Sequence, residues 1–242
     1  MARVEQVDSP AKAHQLGKVL TEVWGDGNAI SVDVIIAVIH SGGYASIAVH
    51  SGKGNDDVVV GGSLALVGKH EHKLHSHVTG VVAGHTNSGV GRAIKEHQWH
   101  WAKEHGFASI SWTFDPLVRR NAHFNLLTLG ARAVSYHRDF YGELNDMINA
   151  GDSTDRLVVE RQVAGLDAPP HLQPTQVESG DEVIDTPIDI VALRQSADAH
   201  DKILMREWRQ RQRESFESAF ARAKFVRGFT EDGRYVLGSK VD

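Results

Sequence analysis

The run Thr86-Asn87-Ser88-Gly89-Val90-Gly91-Arg92 has the residue types and spacing of a loop that can hold phosphate. It stands between a strand-like run, 77–82, and a helix-like run, 93–105, that Gly106 closes as a left-handed C′ glycine would. Glycines let the backbone approach a ligand, successive N–H groups turn inward, and a helix N-terminus adds partial positive charge. Gly89 and Gly91 lack the longer spacing of a dinucleotide fingerprint, and no Lys-Ser/Thr pair follows as in a P-loop. Two readings therefore stay open at this point, a phosphate cradle and a tight turn with no ligand.

A second group of reactive side chains precedes the loop. His70, His72, His75 and His77 cluster, and His75 and His77 would share a strand face. Imidazole is a common metal ligand, yet no carboxylate-rich partner motif follows and fifteen histidines make chance clusters frequent. A polar turn entering a central strand is the preferred reading, and no metal is expected. Downstream, 107–115 alternates: Ile110, Trp112 and Phe114 share one face, Ser109, Ser111, Thr113 and Asp115 the other. A polar face on a central strand could line a wet cleft, while Asp115 could equally cap the turn that Pro116 begins.

The elements that must position these residues follow from periodicity. Helical spacing of Leu16, Val19, Leu20 and Val23 predicts a helix over 11–24. Ser31 or Asp33 could cap a second helix through Val34–Ile39 that Gly42-Gly43 ends, although such a Val/Ile run also suits a buried strand. Residues 44–50 and 57–68 read as a hairpin joined by the turn-prone segment 52–56. A helix over 119–129, a return strand around Val134–Tyr141 and a strand from 155 follow. The Pro-, Gln- and Ser-rich stretch after Ala168 reads as a linker or long loop. Beyond it, 188–193 suggests a strand and 199–224 a long helix, whose Arg206, Arg209, Arg211, Arg213 and Arg222 alternate with glutamates as a solvated face.

Composition sets outer limits. The 242 residues suffice for a full core, and 41% hydrophobic with 24% charged residues are ordinary globular values. A net charge of −5 argues against binding driven by nucleic-acid phosphates. The lack of cysteine removes disulfides, thiolate metal sites and a Cys nucleophile. A polar N-terminus and the lack of a membrane-length apolar run lead to the expectation of a cytoplasmic soluble protein with no membrane partner.

In order, the strand, glycine loop, helix and the motifs after them resemble the GNAT acyltransferase superfamily, whose loop reads Gln/Arg-x-x-Gly-x-Gly/Ala. Gly89 and Gly91 fit that pattern, and Thr86 replaces the usual Gln or Arg. With His75-Ser76-His77, the run from Trp112 to Leu117, Arg120-Asn121-Ala122, Phe124-Asn125, Leu129-Gly130-Ala131, Tyr136, Tyr141-Gly142 and Asp155-Arg156-Leu157, the chain resembles one bacterial GNAT subfamily of largely predicted acyltransferases. The resemblance is dense over about residues 70–160 and sparse after Pro169. It implies an α+β fold with a mixed, mostly antiparallel central sheet flanked by helices. The expected organisation is an acyl-CoA-binding domain over 1–165, a linker or long loop over 166–187 and a C-terminal strand-helix-strand extension over 188–242 packed on the main domain.

The resemblance also implies acyl-CoA as co-substrate, acetyl-CoA or a larger donor such as succinyl-CoA, and a small-molecule amine or amino acid as acceptor. A homodimer stays open. Backbone at Val81 and Val82 would pair with pantetheine, and Thr86, Asn87, Ser88, Gly89, Val90, Gly91 and Arg92 would hold the pyrophosphate. Asn121 and Asn125 fall where the family touches the far side of CoA. With no carboxylate in reach, His77 becomes the candidate base, and Ser76, Thr113 and Asp115 candidates to line the acceptor site. The family's thiolate-protonating Tyr is replaced by Leu126, which leaves Tyr136 and Tyr141 as substitutes. That substitution keeps a non-catalytic acyl-CoA-binding or regulatory module open beside the enzyme.

Overall fold

Ser9 starts the first helix: its hydroxyl accepts from the Lys12 N–H at 3.4 Å, and Pro10 opens the first turn, where its missing N–H costs nothing. The computed structural model describes residues 2–25, 30–51, 57–70, 72–142 and 151–239. The expected turn at 52–56 lies outside them. By contacts the chain divides into two units, Met1–Trp112 with Gln162–Pro169, and Thr113–Arg161 with Pro170–Asp242.

The first unit contains β1 (Arg3–Gln6), α1 (Pro10–Trp24), α2 (Val32–His40), β2 (Tyr44–Ser51), β3 (Asp57–Val67), β4 (Lys73–Val81), α3 (Val90–Glu104) and most of β5 (Ser109–Phe114). The Val/Ile run is the helix α2, with Ile35 and Val38 buried and Ser31 at its N-cap. β1, which had no signal in the sequence, pairs antiparallel with β2, and β2–β3–β4 continue antiparallel. α1 packs closely on β3 because Gly62 has no side chain there: a Cβ would lie 2.4 Å from Leu16 Cδ1 and 2.9 Å from the Ser46 carbonyl oxygen. Leu16, Val19, Leu20, Ile35, Ile47, Val60 and Ile94 form the core between these helices and the sheet.

The second unit contains α4 (Arg119–His123), a π-helical turn (Phe124–Thr128), β6 (Arg132–His137), most of β7 (Arg156–Gln162), β8 (Glu182–Asp185), α5 (Ile190–Gln195), α6 (Ala199–Ala221), β9 (Phe225–Phe229) and β10 (Arg234–Gly238). The strands form a seven-stranded sheet, β1-β2-β3-β4-β5-β7-β6, mostly antiparallel, and a three-stranded sheet, β8-β10-β9. The expected α+β class with helices flanking a mixed sheet is what the structure has.

Three expectations need correction. The predicted helix over 119–129 widens after His123, where the Leu129 N–H donates to the Phe124 carbonyl at 2.9 Å. The predicted strand over 188–193 is instead α5, because Asp189 caps it, its carboxylate accepting from the Val191 and Ala192 N–H groups at 3.0 Å each. Along the stretch expected as a linker or long loop, 166–187, backbone groups are held by hydrogen bonds. Residues 162–169 belong to the first unit, where Val163 N–H donates to the Ala108 carbonyl at 2.9 Å; the stretch from Pro170 belongs to the second, where Leu172 and Thr175 N–H groups donate to Leu127 and Phe229 carbonyls at 2.9 Å each. The contact units therefore divide elsewhere than at 165 and 188. Finally, α6 is not simply a solvated arginine face: Arg209 is 4% exposed.

Candidate functional site

β4 keeps its antiparallel pairing with β3 from Leu74 to Val81, but pairs in parallel with β5 over three residues only: Lys73 with Ser109, Leu74 with Ile110 and His75 with Ser111. Among the described residues, β4 from Ser76 onward has no β5 partner, so the two strands part at Ser76 and Trp112. That leaves a stretch of β4 edge with backbone hydrogen-bonding capacity on the β5 side. In the same place the β3–β4 register shifts: Leu64 faces Val78 and Ala65 faces Ser76, so His77 is the extra residue of a β-bulge. His77 is exposed and its ring centroid lies 6.4 Å from that of His75. Desolvation by the surrounding protein lowers both imidazoles from their ordinary value, His77 even though its side chain still reaches solvent, with His77 and then Lys95 adding repulsion at His75. Both are therefore neutral near pH 7 and able to accept a proton.

The loop between β4 and α3 turns on residues with positive φ: Gly84 at 85°, Asn87 at 60° and Gly89 at 84°. Thr86, Asn87, Ser88 and Gly89 are exposed, and the Ser88 hydroxyl donates to the His85 carbonyl. Gly89 is the N-cap of α3 with no side-chain cap, and the space where its Cβ would stand is open to 4 Å. A helix start with no side-chain cap and open space beside its N-cap is a setting that suits an anion. Val90 is an exception within the loop, since its side chain is buried in the first unit's core. Arg92 is exposed and 3.8 Å from Glu96. Val82 also departs from expectation: its N–H donates to the Val60 carbonyl at 3.0 Å, so that group is already engaged with β3.

Ser76 does not face an acceptor. It is buried, and its hydroxyl accepts from the Lys95 ammonium at 2.7 Å. Lys95 also donates to Gln98 Oε1 at 3.2 Å and stands 4.1 Å from the centre of the Trp112 ring. Gln98 donates in turn to Ser63 Oγ at 3.3 Å, and Ser63 bonds the Val78 carbonyl at 3.0 Å and the Thr79 hydroxyl at 2.9 Å. Sequence reasoning missed this polar chain. The signal was there: Lys95 and Gln98 sit on the same stripe of α3 as buried Ile94, Trp99 and Ala102.

In the second unit, Asp115 is likewise not available to an incoming ammonium. Its carboxylate accepts from Arg209 at 3.1 and 3.0 Å, from Arg194, and from the Leu117 N–H at 3.0 Å. Burial alone would raise its pKa, but Arg209 and Arg194 outweigh it and hold Asp115 well below the usual carboxylate range. Asp152 completes the cluster, accepting from Arg194 at 2.7 Å and Arg209 at 2.8 Å. The capping role considered for Asp115 is therefore present, within a buried four-charge group that sequence alone did not reveal. Tyr136 donates its hydroxyl to Asp155, which Arg213 also clamps at 2.8 and 2.7 Å. Burial and that carboxylate push the phenol above its ordinary range, which makes Tyr136 a poor acid. Tyr141 is freer, with its hydroxyl 3.1 Å from Thr113 Oγ1. Asn125 is buried and donates to the Asn121 carbonyl at 2.8 Å, a bond within the helix. Leu126 is a core residue. Among the described residues no group of three His, Cys, Asp or Glu side chains could hold a metal.

Solved structures share this architecture. The Escherichia coli ribosomal-protein-S18-alanine N-acetyltransferase superimposes with a TM-score of 0.52 at 11% identity, over 69% of this chain and 96% of that one. A putative acetyltransferase from Salmonella typhimurium with its cofactor acetyl-CoA gives 0.54 at 14%, over 70% and 98%. A GNAT-family acetyltransferase from Streptococcus pneumoniae gives 0.53 at 13%, over 68% and 100%. The fold is the GNAT acetyltransferase fold. No family model and no curated protein matches the sequence. The GNAT likeness covers about two thirds of this chain and nearly all of each of those structures. Among the described residues, no helix is long and apolar enough to cross a membrane.

Proposed function

We propose that the chain is an acyl-CoA-dependent N-acyltransferase that moves an acetyl or larger acyl group, such as succinyl, to the amine of a small molecule or amino acid. The observation that carries this reading is that β4 outruns its pairing with β5 immediately before an uncapped, glycine-turned helix start. An unpaired β4 edge suits the amide-bearing pantetheine arm, and the loop 86–92 suits a pyrophosphate. Open space at Gly89 agrees with a cradle that a side chain would obstruct.

In the reaction the amine nitrogen bonds to the thioester carbonyl carbon, the C–S bond breaks, one proton leaves the nitrogen and one ends on sulfur. His77, neutral and exposed on its bulge, takes the amine proton. Thr113 and Tyr141 are our proposal for the acceptor side, with Tyr141 the remaining acid. Acetyl-CoA and succinyl-CoA should raise the melting temperature with dose, as any ligand of the native state alone does. CoA release with a panel of amines then tests transfer. A melting temperature that neither thioester moves would overturn the reading.

Two observations favour a non-catalytic acyl-CoA-binding module: Leu126 stands where the family has its tyrosine, and the Tyr136 hydroxyl is held by Asp155. Binding without CoA release from any amine would decide for it.

A further inference from the structure

We propose that Lys95 is a positioning residue for acyl-CoA: its ammonium ties Ser76 of β4 to the Trp112 ring of β5 at the point where the two strands part, and so keeps the gap between them formed. The inference rests on the acyl-CoA reading above and adds a determinant within it.

The last paired residues of the two strands are His75 and Ser111. The next residue on each strand is Ser76 and Trp112, and both are buried. Lys95 reaches both from α3, with a 2.7 Å hydrogen bond to one and a 4.1 Å approach to the ring centre of the other. A lysine is an unusual choice for so closed a position, because burying an ammonium is costly unless its surroundings hold it. Hydrogen bonds to Ser76 and Gln98 and the face of Trp112 supply that hold. Two strands that diverge would otherwise tend to zip closed or slip, since unpaired edges seek partners. A cation bound to one residue on each side at the fork resists both movements. The polar chain onward through Gln98, Ser63 and Thr79 extends the same anchoring along the unpaired part of β4. Lys95 also adds its charge to the repulsion that keeps His75 neutral.

The test separates the gap from the phosphate loop with two probes: acetyl-CoA, which needs both, and 3′-phosphoadenosine 5′-diphosphate, which lacks pantetheine and needs only the loop. Lys95→Met keeps the apolar stem and removes the ammonium. Titration calorimetry should show acetyl-CoA binding weakened about tenfold or more, as a lost buried hydrogen bond to a charged group implies, with the nucleotide changed less than about twofold. Ser76→Ala removes only the acceptor hydroxyl and should move the same ratio in the same direction by less, which keeps the test valid should Lys95→Met fail to fold. An unchanged ratio in whichever variant folds, alongside a wild type that binds acetyl-CoA, overturns the role of Lys95 and leaves the acyl-CoA reading standing. A wild type that binds neither probe overturns both.

Discussion

Gly91→Asp should strengthen the fold and weaken the ligand at once. Gly91 is the second residue of α3, a helix with no acidic residue in its first turn and no side-chain cap. A carboxylate there meets the positive end of the helix dipole, which is worth about 0.3–1 kcal/mol, and replacing a helical glycine contributes a few tenths more. At ~2–4 °C per kcal/mol for a chain of this size, the ligand-free protein should melt roughly 1–4 °C higher. A bound pyrophosphate would feel the opposite. A carboxylate ~5 Å from two negative charges repels them by roughly 1.7 kcal/mol even in bulk water, and by several times that at a protein surface. Acetyl-CoA should therefore bind at least about 15-fold more weakly, and the loss should shrink at high salt, where exposed charges are screened. Differential scanning fluorimetry without ligand and calorimetry at two salt concentrations provide both readings. A variant that melts higher yet binds acetyl-CoA as the wild type does would refute the assignment of the loop. One that melts lower would refute the account of the helix start.

Asp115→Asn leaves Arg194 and Arg209 buried against one carboxylate instead of two, a loss of about 3 kcal/mol or more that should lower the melting temperature by roughly 6 °C or more; weakened amine binding with unaltered stability would instead restore Asp115 to the acceptor site. His77→Ala should lower kcat/KM by roughly 10²-fold and Tyr141→Phe by less, while Tyr136→Phe should show mainly as lost stability because its hydroxyl serves Asp155. Desolvation lowers the imidazoles of His75, His77 and His97, so below the ordinary histidine value of 6.5 the unfolded chain takes up protons that the folded one resists. Stability is then full above pH 6.5 and falls as pH drops toward the folded values; chemical denaturation between pH 7 and 5 measures it, and changing all three to Gln should flatten that part of the curve.

Much of the first unit was legible because its signals are local. The helical spacing of Leu16, Val19, Leu20 and Val23, the Ser31 N-cap position, the glycine stops and the period-two run from Ser109 to Phe114 each need only their neighbours in sequence. The β4 strand and its glycine loop were legible for the same reason. The end of the β4–β5 pairing was not, since it depends on which residues of two separate strands meet. Side-chain partners were harder still. Asp115 and Arg209 looked like a cleft residue and a solvated one, and nothing in either neighbourhood reveals that they bury each other. Asp189 misled in a different way: a β-branched run after it resembled a strand, while its carboxylate made that run a helix.

The ion pairs of Asp115 carry a timing consequence for how the second unit is made. Arg194 follows Asp115 by 79 residues and Arg209 by 94. At a synthesis rate of about 5–20 residues per second, that carboxylate emerges roughly 5–19 s before Arg209 exists. Over that interval its charge has water as its partner, and closing it into the interior would be strongly unfavourable. The turn after β5 can therefore take its final place only once α6 has been synthesised and docked, so the second unit's last cooperative step is set by its most distant contacts.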